Sequence, residues 1–119
     1  MPSSRQPDPA SVHATLLAER RRAVERLRAL RSDFSGIVEA SRDTNADDEH
    51  DPEGATIAFE RSQVDALVRQ AQGHVDDIDR ALESLAAGRY GVCESCGTPI
   101  AVERLAVRPS AVRCIDCAR

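Results

Sequence analysis

Cys93-Glu94-Ser95-Cys96 and Cys114-Ile115-Asp116-Cys117 hold all four cysteines of the chain, as two Cys-x-x-Cys pairs separated by seventeen residues. Four soft thiolates at this spacing form a closed tetrahedral cage for one zinc ion. The two-residue gap lets both sulfurs of a knuckle reach the same metal, and Gly97, just after the first knuckle, lets the backbone fold back tightly. Two disulfides are the competing chemistry. The absence of other cysteines and of a signal-peptide pattern argues against an oxidising compartment and for the metal. A closed four-sulfur site has no open coordination position, which fits a structural role rather than a catalytic one. The expectation is one structural zinc per chain, held by Cys93, Cys96, Cys114 and Cys117.

Upstream of the first knuckle the pattern becomes helical. The second of two apolar seams is Ile57, Arg61, Val64, Val68, Ala71, Val75, Ile78, Leu82 and Leu85, an unbroken four-three alternation with Arg61 its one polar member. Such alternation marks a coiled-coil seam rather than a wide globular face. Gly88 is placed to end this helix. The first seam is Leu16, Ala23, Leu27, Leu30, Phe34 and Ile37, and it fades before Ser41. Asp8-Pro9 and Asp51-Pro52 both read as helix starts, with Asp accepting backbone hydrogen bonds at the N-cap and Pro at the first helical position.

Between the seams, residues 41–54 are polar and strongly acidic. Two seams of about thirty residues, each worth roughly 45 Å of helix, joined by a short loop predict an antiparallel hairpin. An intermolecular coiled coil is the competing arrangement. Residues 11–42 hold seven Arg against four acids, and residues 54–87 hold three Arg against six acids. Opposite charge on the two arms favours their pairing within one chain, and hence a monomer. The sequence thus reads as three parts: a disordered tail at 1–8, a helical hairpin at 9–87 with its acidic tip at about 42–54, and a four-cysteine finger at 88–119.

Composition narrows the function. With two Phe, one Tyr and no Trp in 119 residues, the chain lacks the bulk for a large globular core. No apolar run is long enough to cross a membrane, so a cytoplasmic protein is expected. No Ser-His-Asp or Cys-His set, Gly-rich phosphate loop or open metal site is visible, so an enzyme is not expected. His13, His50 and His74 are isolated and read as surface residues. The finger holds five Arg against three acids, but four thiolates and one zinc ion bring it near neutrality. Binding DNA by phosphate contacts needs a clear positive surplus, so direct DNA binding is not expected. A coiled-coil adaptor whose finger only caps the hairpin is a further alternative.

The finger resembles a known family. Arg89-Tyr90-Gly91-Val92-Cys93, Cys96-Gly97-Thr98-Pro99-Ile100, Glu103-Arg104-Leu105, Arg108-Pro109 and Cys114-Ile115-Asp116-Cys117 fall in register with the signature of the DksA/TraR-type zinc finger. The resemblance implies a bacterial transcription factor that binds RNA polymerase. Its hairpin would enter the secondary channel, its tip would approach the catalytic centre, and its finger would brace the hairpin base. The best-known members carry a tip motif Asp-x-x-Asp-x-Ala. An ungapped count back from the finger puts His50 at the first Asp, Glu53 at the second and Ala55 at the Ala, with Asp51 one residue away. The resemblance therefore implies Asp51, Glu53 and Ala55 as the partner-contacting tip. It also implies ppGpp as a co-effector in members with a further helix after the finger; this sequence runs two residues past Cys117.

Overall fold

The computed structural model describes residues 8–44 and 52–118. Its elements are α1 (Pro9–Thr44), α2 (Pro52–Ala86), α3 (Val102–Val107) and α4 (Ile115–Ala118). The class is mainly α: a two-helix coiled coil followed by a small four-cysteine module.

The start of α1 follows the sequence signal. The Asp8 side chain accepts the Ser11 N–H at 3.1 Å, and its carbonyl accepts the Val12 N–H at 2.9 Å. The first satisfies one of the amide groups that a helix start leaves without partners, and the second is the first regular bond of the helix. Asp8 is therefore a helix cap rather than part of a disordered tail; residues 1–7 lie outside the described residues. At the other end, α1 runs on through Thr44 although its apolar seam fades before Ser41. Helical hydrogen bonding does not need a seam, and Glu39, Ala40 and Arg42 are good helix formers. The connection is thereby shorter than the 42–54 read from the sequence. Residues 45–51, with His50 and Asp51, lie outside the described residues.

The chain forms two compact units. One contains the residues up to Arg22 together with His74–Arg119; the other is Ala23–Gly73. In the first unit Val12 and Leu16 of α1 and Val75, Ile78 and Ala81 of α2 are buried, with Leu16 and Ile78 at 0% exposure. Arg20 Nε donates to Asp79 Oδ1 at 2.7 Å across the two helices, and this hydrogen bond raises the Arg20 pKa. In the second unit Ala23, Leu27 and Ala71 are buried, and Leu30, Ile57, Val64 and Val68 are half-buried. Arg31 Nη2 donates to Gln72 Oε1 at 2.9 Å, again from α1 to α2. Among the described residues no buried side-chain nitrogen or oxygen lacks a partner.

Two details differ from the seam read in the sequence. Arg61 is exposed rather than a seam member. Near the end of α2, Ala81 is enclosed while Leu82 and Leu85 are half-buried. There α2 also meets the finger, through Arg80 Nε and Glu94 Oε2 at 3.5 Å, so its buried face turns away from a strict heptad stripe.

The last turn of α2 closes as Gly88 was expected to close it. Arg89 N–H donates to the Ser84 carbonyl at 2.7 Å, and Gly88 N–H to Leu85 at 3.1 Å, with Gly88 at φ 74°. This is a Schellman ending, in which glycine takes the left-handed conformation without a Cβ penalty.

Candidate metal centre

The first knuckle sits on a tight backbone reversal. Cys93 N–H donates to Thr98 at 2.8 Å and Ile100 N–H to Gly91 at 2.7 Å, flanking an isolated antiparallel bridge between Val92 and Pro99. Gly97 turns the chain at φ 76°, and its N–H donates to the Cys93 carbonyl at 2.9 Å. The second knuckle uses a helical turn. Cys117 N–H and Ala118 N–H both donate to the Cys114 carbonyl, at 3.1 and 2.9 Å, as α4 begins. Residues three apart on such a turn face the same side, so both sulfurs point one way.

A small core holds the knuckles together. Cys93, Ile100, Leu105 and Ala111 are buried, and Tyr90, Cys114 and Cys117 pack against them. Glu94 N–H donates to the Val112 carbonyl at 2.9 Å, and Arg104 Nε to the Arg113 carbonyl at 3.1 Å. The Tyr90 hydroxyl donates to the Pro109 carbonyl at 2.8 Å. Leu105 is the buried residue of α3, so this short helix serves as a wedge beneath the knuckles.

All four sulfurs lie within 4.8 Å of one another, and Cys96 Sγ and Cys114 Sγ are 3.7 Å apart. A tetrahedral zinc with four bonds of about 2.3 Å separates its sulfurs by about 3.8 Å. The donor set is thus of the right kind, number and spacing for that ion. The same separation is far too long for a disulfide bond, whose sulfurs stand about 2 Å apart, and all four cysteines are free.

The surroundings favour thiolate at Cys93 and Cys96. Cys93 is brought down to about 6, chiefly by a backbone hydrogen bond at Cys114, with further ones from Cys96 and Ser95. Cys96 is lowered, first by the Thr98 hydroxyl 2.9 Å from its sulfur. Cys117 is pushed up to about 12 by its contacts with the other three sulfurs, Cys114 first. Four crowded sulfurs cannot all ionise unless a cation shares their charge, as a bound divalent ion does.

Of the residues singled out in the sequence, the structure brings together Cys93, Cys96, Cys114 and Cys117. The tip set lies largely outside what the structure describes. Asp51 lies outside the described residues, Glu53 is placed only as a helical position in the first turn of α2, and Ala55 is exposed on that helix. Sequence reasoning placed Thr98 in the family signature without a role; its hydroxyl, beside Gly97, lies 2.9 Å from the Cys96 sulfur. Sequence reasoning missed the ties from the finger to the helices, Arg80–Glu94 and Ser110–Glu19. No short-range pattern announces contacts between residues so far apart in the chain.

The comparisons with known proteins agree with this geometry. Residues 88–119 match the family model of the prokaryotic dksA/traR C4-type zinc finger. The uncharacterized protein YteA of Bacillus subtilis is 37% identical over 67 residues, which is 56% of this chain and 28% of that protein. The RNA polymerase-binding transcription factor DksA of Escherichia coli K12 is 42% identical over 43 residues, 36% of this chain and 28% of that protein. The match to these curated relatives thus spans 28% of their length. Among solved structures, transcription factor DksA2 from Pseudomonas aeruginosa aligns with a TM-score of 0.50 and 31% identity, covering 95% of this chain and 88% of that one. A coiled-coil hairpin, a four-sulfur finger in register with the signature, and a relative alike over nearly the whole chain lead to one conclusion: the chain belongs to the DksA/TraR-type zinc finger family.

Proposed function

We propose that this protein is a bacterial transcription regulator that binds RNA polymerase through the secondary channel. The observation that carries the reading is the joining of a long helical pair to a four-sulfur finger, a combination alike to DksA2 over 95% of this chain. The E. coli relative is itself named an RNA polymerase-binding transcription factor. In this reading the hairpin of residues 9–87 is the part that enters the channel. Asp51, Glu53 and Ala55 act near the active centre, where acidic charge meets magnesium and basic side chains at short range. The finger of residues 88–119 holds one structural zinc through Cys93, Cys96, Cys114 and Cys117, because four thiolates leave the ion no open position for substrate. The protein works as a cytoplasmic monomer, performs no chemistry of its own and does not read DNA directly.

A pull-down with RNA polymerase core, with and without a competitor that occupies the secondary channel, tests the reading. Binding that the competitor abolishes is the expected result. Binding that the competitor leaves untouched would move the site elsewhere on the enzyme, and no binding at all would end the proposal. A gel shift on bare DNA at physiological salt should show no complex. Runs with and without ppGpp establish whether the alarmone contributes.

A further inference from the structure

Ser110 is the one buried polar residue among those described, with 0% exposure. Its hydroxyl donates to Glu19 Oε1 at 3.4 Å, and the same oxygen lies 2.8 Å from His74 Nε2. Glu19 belongs to α1, His74 to α2, and Ser110 to the segment between α3 and the second knuckle. One carboxylate oxygen therefore joins three stretches of chain that meet at the hairpin base.

The segment around Ser110 is held from both sides. Beside it, the Pro109 carbonyl accepts the Tyr90 hydroxyl. Burial and then the charge of Glu19 raise the Tyr90 pKa, so the field of the carboxylate reaches this second anchor too. On the finger side, Ala111 belongs to the core beneath the knuckles, and the Val112 carbonyl accepts the Glu94 N–H next to Cys93. Residues 109–112 thus link the sulfur cluster to the helices, and Glu19 is their polar attachment to α1.

The Glu19 side chain is only 17% exposed. Enclosing a carboxylate is unfavourable unless donors replace the water it loses. Moving the finger off this seating takes the buried Ser110 hydroxyl from its acceptor and leaves the Glu19 oxygen with His74 alone. Apolar contacts alone tolerate sliding; a satisfied polar network does not, because each displaced bond leaves a group unpaired in a low-dielectric setting.

We propose that Glu19 is a positioning residue: it fixes how the finger seats on the hairpin base, and thereby the pose in which the hairpin meets the polymerase. The first part stands on the contacts above, and the second rests on the function proposed in the preceding subsection.

Two measurements on the zinc-loaded chain test the two parts separately. In amide hydrogen exchange, Glu19→Ala should speed exchange at the Glu94 and Ala111 amides by about tenfold, as the segment between them loosens. Glu19→Gln should restore wild-type exchange, since its carbonyl oxygen can still accept from Ser110. Ser110→Ala should reproduce the Glu19→Ala effect, and the double variant should add nothing to it. Unchanged exchange in both single alanine variants overturns the seating role, and so does a glutamine variant as fast as the alanine one. In binding to polymerase core, Glu19→Ala should weaken the complex by about tenfold with zinc and helix content unchanged, and Glu19→Gln should bind as wild type does. Faster exchange with undiminished binding overturns the link to the polymerase pose. If wild type itself fails to bind, the proposed function falls, while the exchange experiment still decides the seating role.

Discussion

Cys96 Sγ and Cys114 Sγ stand 3.7 Å apart although they are 18 positions apart in the chain. The contact closes the finger. Glu94 and Val112, just behind these sulfurs, are hydrogen-bonded through their backbones, so the two knuckles approach as paired turns rather than as loose ends.

The purified protein should contain one zinc per chain, measured by elemental analysis. Replacing Cys114 with Ser removes one ligand and should unfold the finger, because metal binding and folding of so small a core are one process. The helical signal in circular dichroism should fall only in part, since Val12, Leu16, Val75 and Ile78 bury apolar surface without the metal. Substoichiometric zinc together with disulfides, in protein purified without air, would overturn the assignment of the site.

Ile78→Ala should cost about 2–5 kcal/mol, the usual range for truncating a buried branched side chain, because Ile78 is fully enclosed. Leu82→Ala should cost less, since Leu82 keeps partial exposure. Thermal unfolding of the two variants in parallel measures the difference. Equal losses would mean that Leu82 is as much a core residue as its heptad position implies. Light scattering at micromolar concentration should report a monomer; a dimer that survives dilution would instead place the second helix of the seam in another chain.

Gly88→Ala should destabilise the end of α2 by about 1 kcal/mol, the order of the left-handed penalty for a residue with a Cβ. No neighbour lies within 4 Å of a Cβ at this position, so the effect comes from the backbone angle and not from a clash. Gly88→Asn should recover part of the loss, because Asn tolerates this conformation better than Ala. A Gly88→Ala variant as stable as wild type would show that the ending can relax to another turn.

How much of this was legible beforehand varies from one residue to the next. The knuckles are local signals: two sulfurs three positions apart, with Gly97 behind the first, need only a tight turn to converge. Asp8 and Gly88 are equally local, since capping depends on neighbours within one helical turn. The seam was legible where burial follows the heptad, at Leu16, Leu27 and Ile78, and failed where a third element intervenes, at Ala81 and Leu82 beside the finger. Glu19 and Ser110 were not legible at all. They are 91 positions apart, and their pairing depends on how the finger seats on the helices rather than on any spacing. The helical extent of α1 to Thr44 was missed because an apolar pattern reports what a helix packs against, not how far its backbone bonds continue.

The acidic tip provides the last test. Asp51-Pro52 carries the same helix-start signal as Asp8-Pro9, where the Asp8 carboxylate accepts the Ser11 N–H. A loss of function in Asp51→Ala could therefore reflect a frayed helix start, worth about 1 kcal/mol, as easily as a lost regulatory charge. Asp51→Asn separates the two, because Asn caps about as well as Asp but carries no charge. Combined with Glu53→Gln it removes two charges from the most acidic part of the chain while keeping side-chain size. The double variant should unfold at the wild-type temperature and bind polymerase core as wild type does. Its effect on transcription in vitro should be lost, since a charge acting beside magnesium and basic side chains has no neutral substitute. Regulation as strong as that of wild type would mean that these acids only keep the turn solvated, and that the hairpin acts through its bulk.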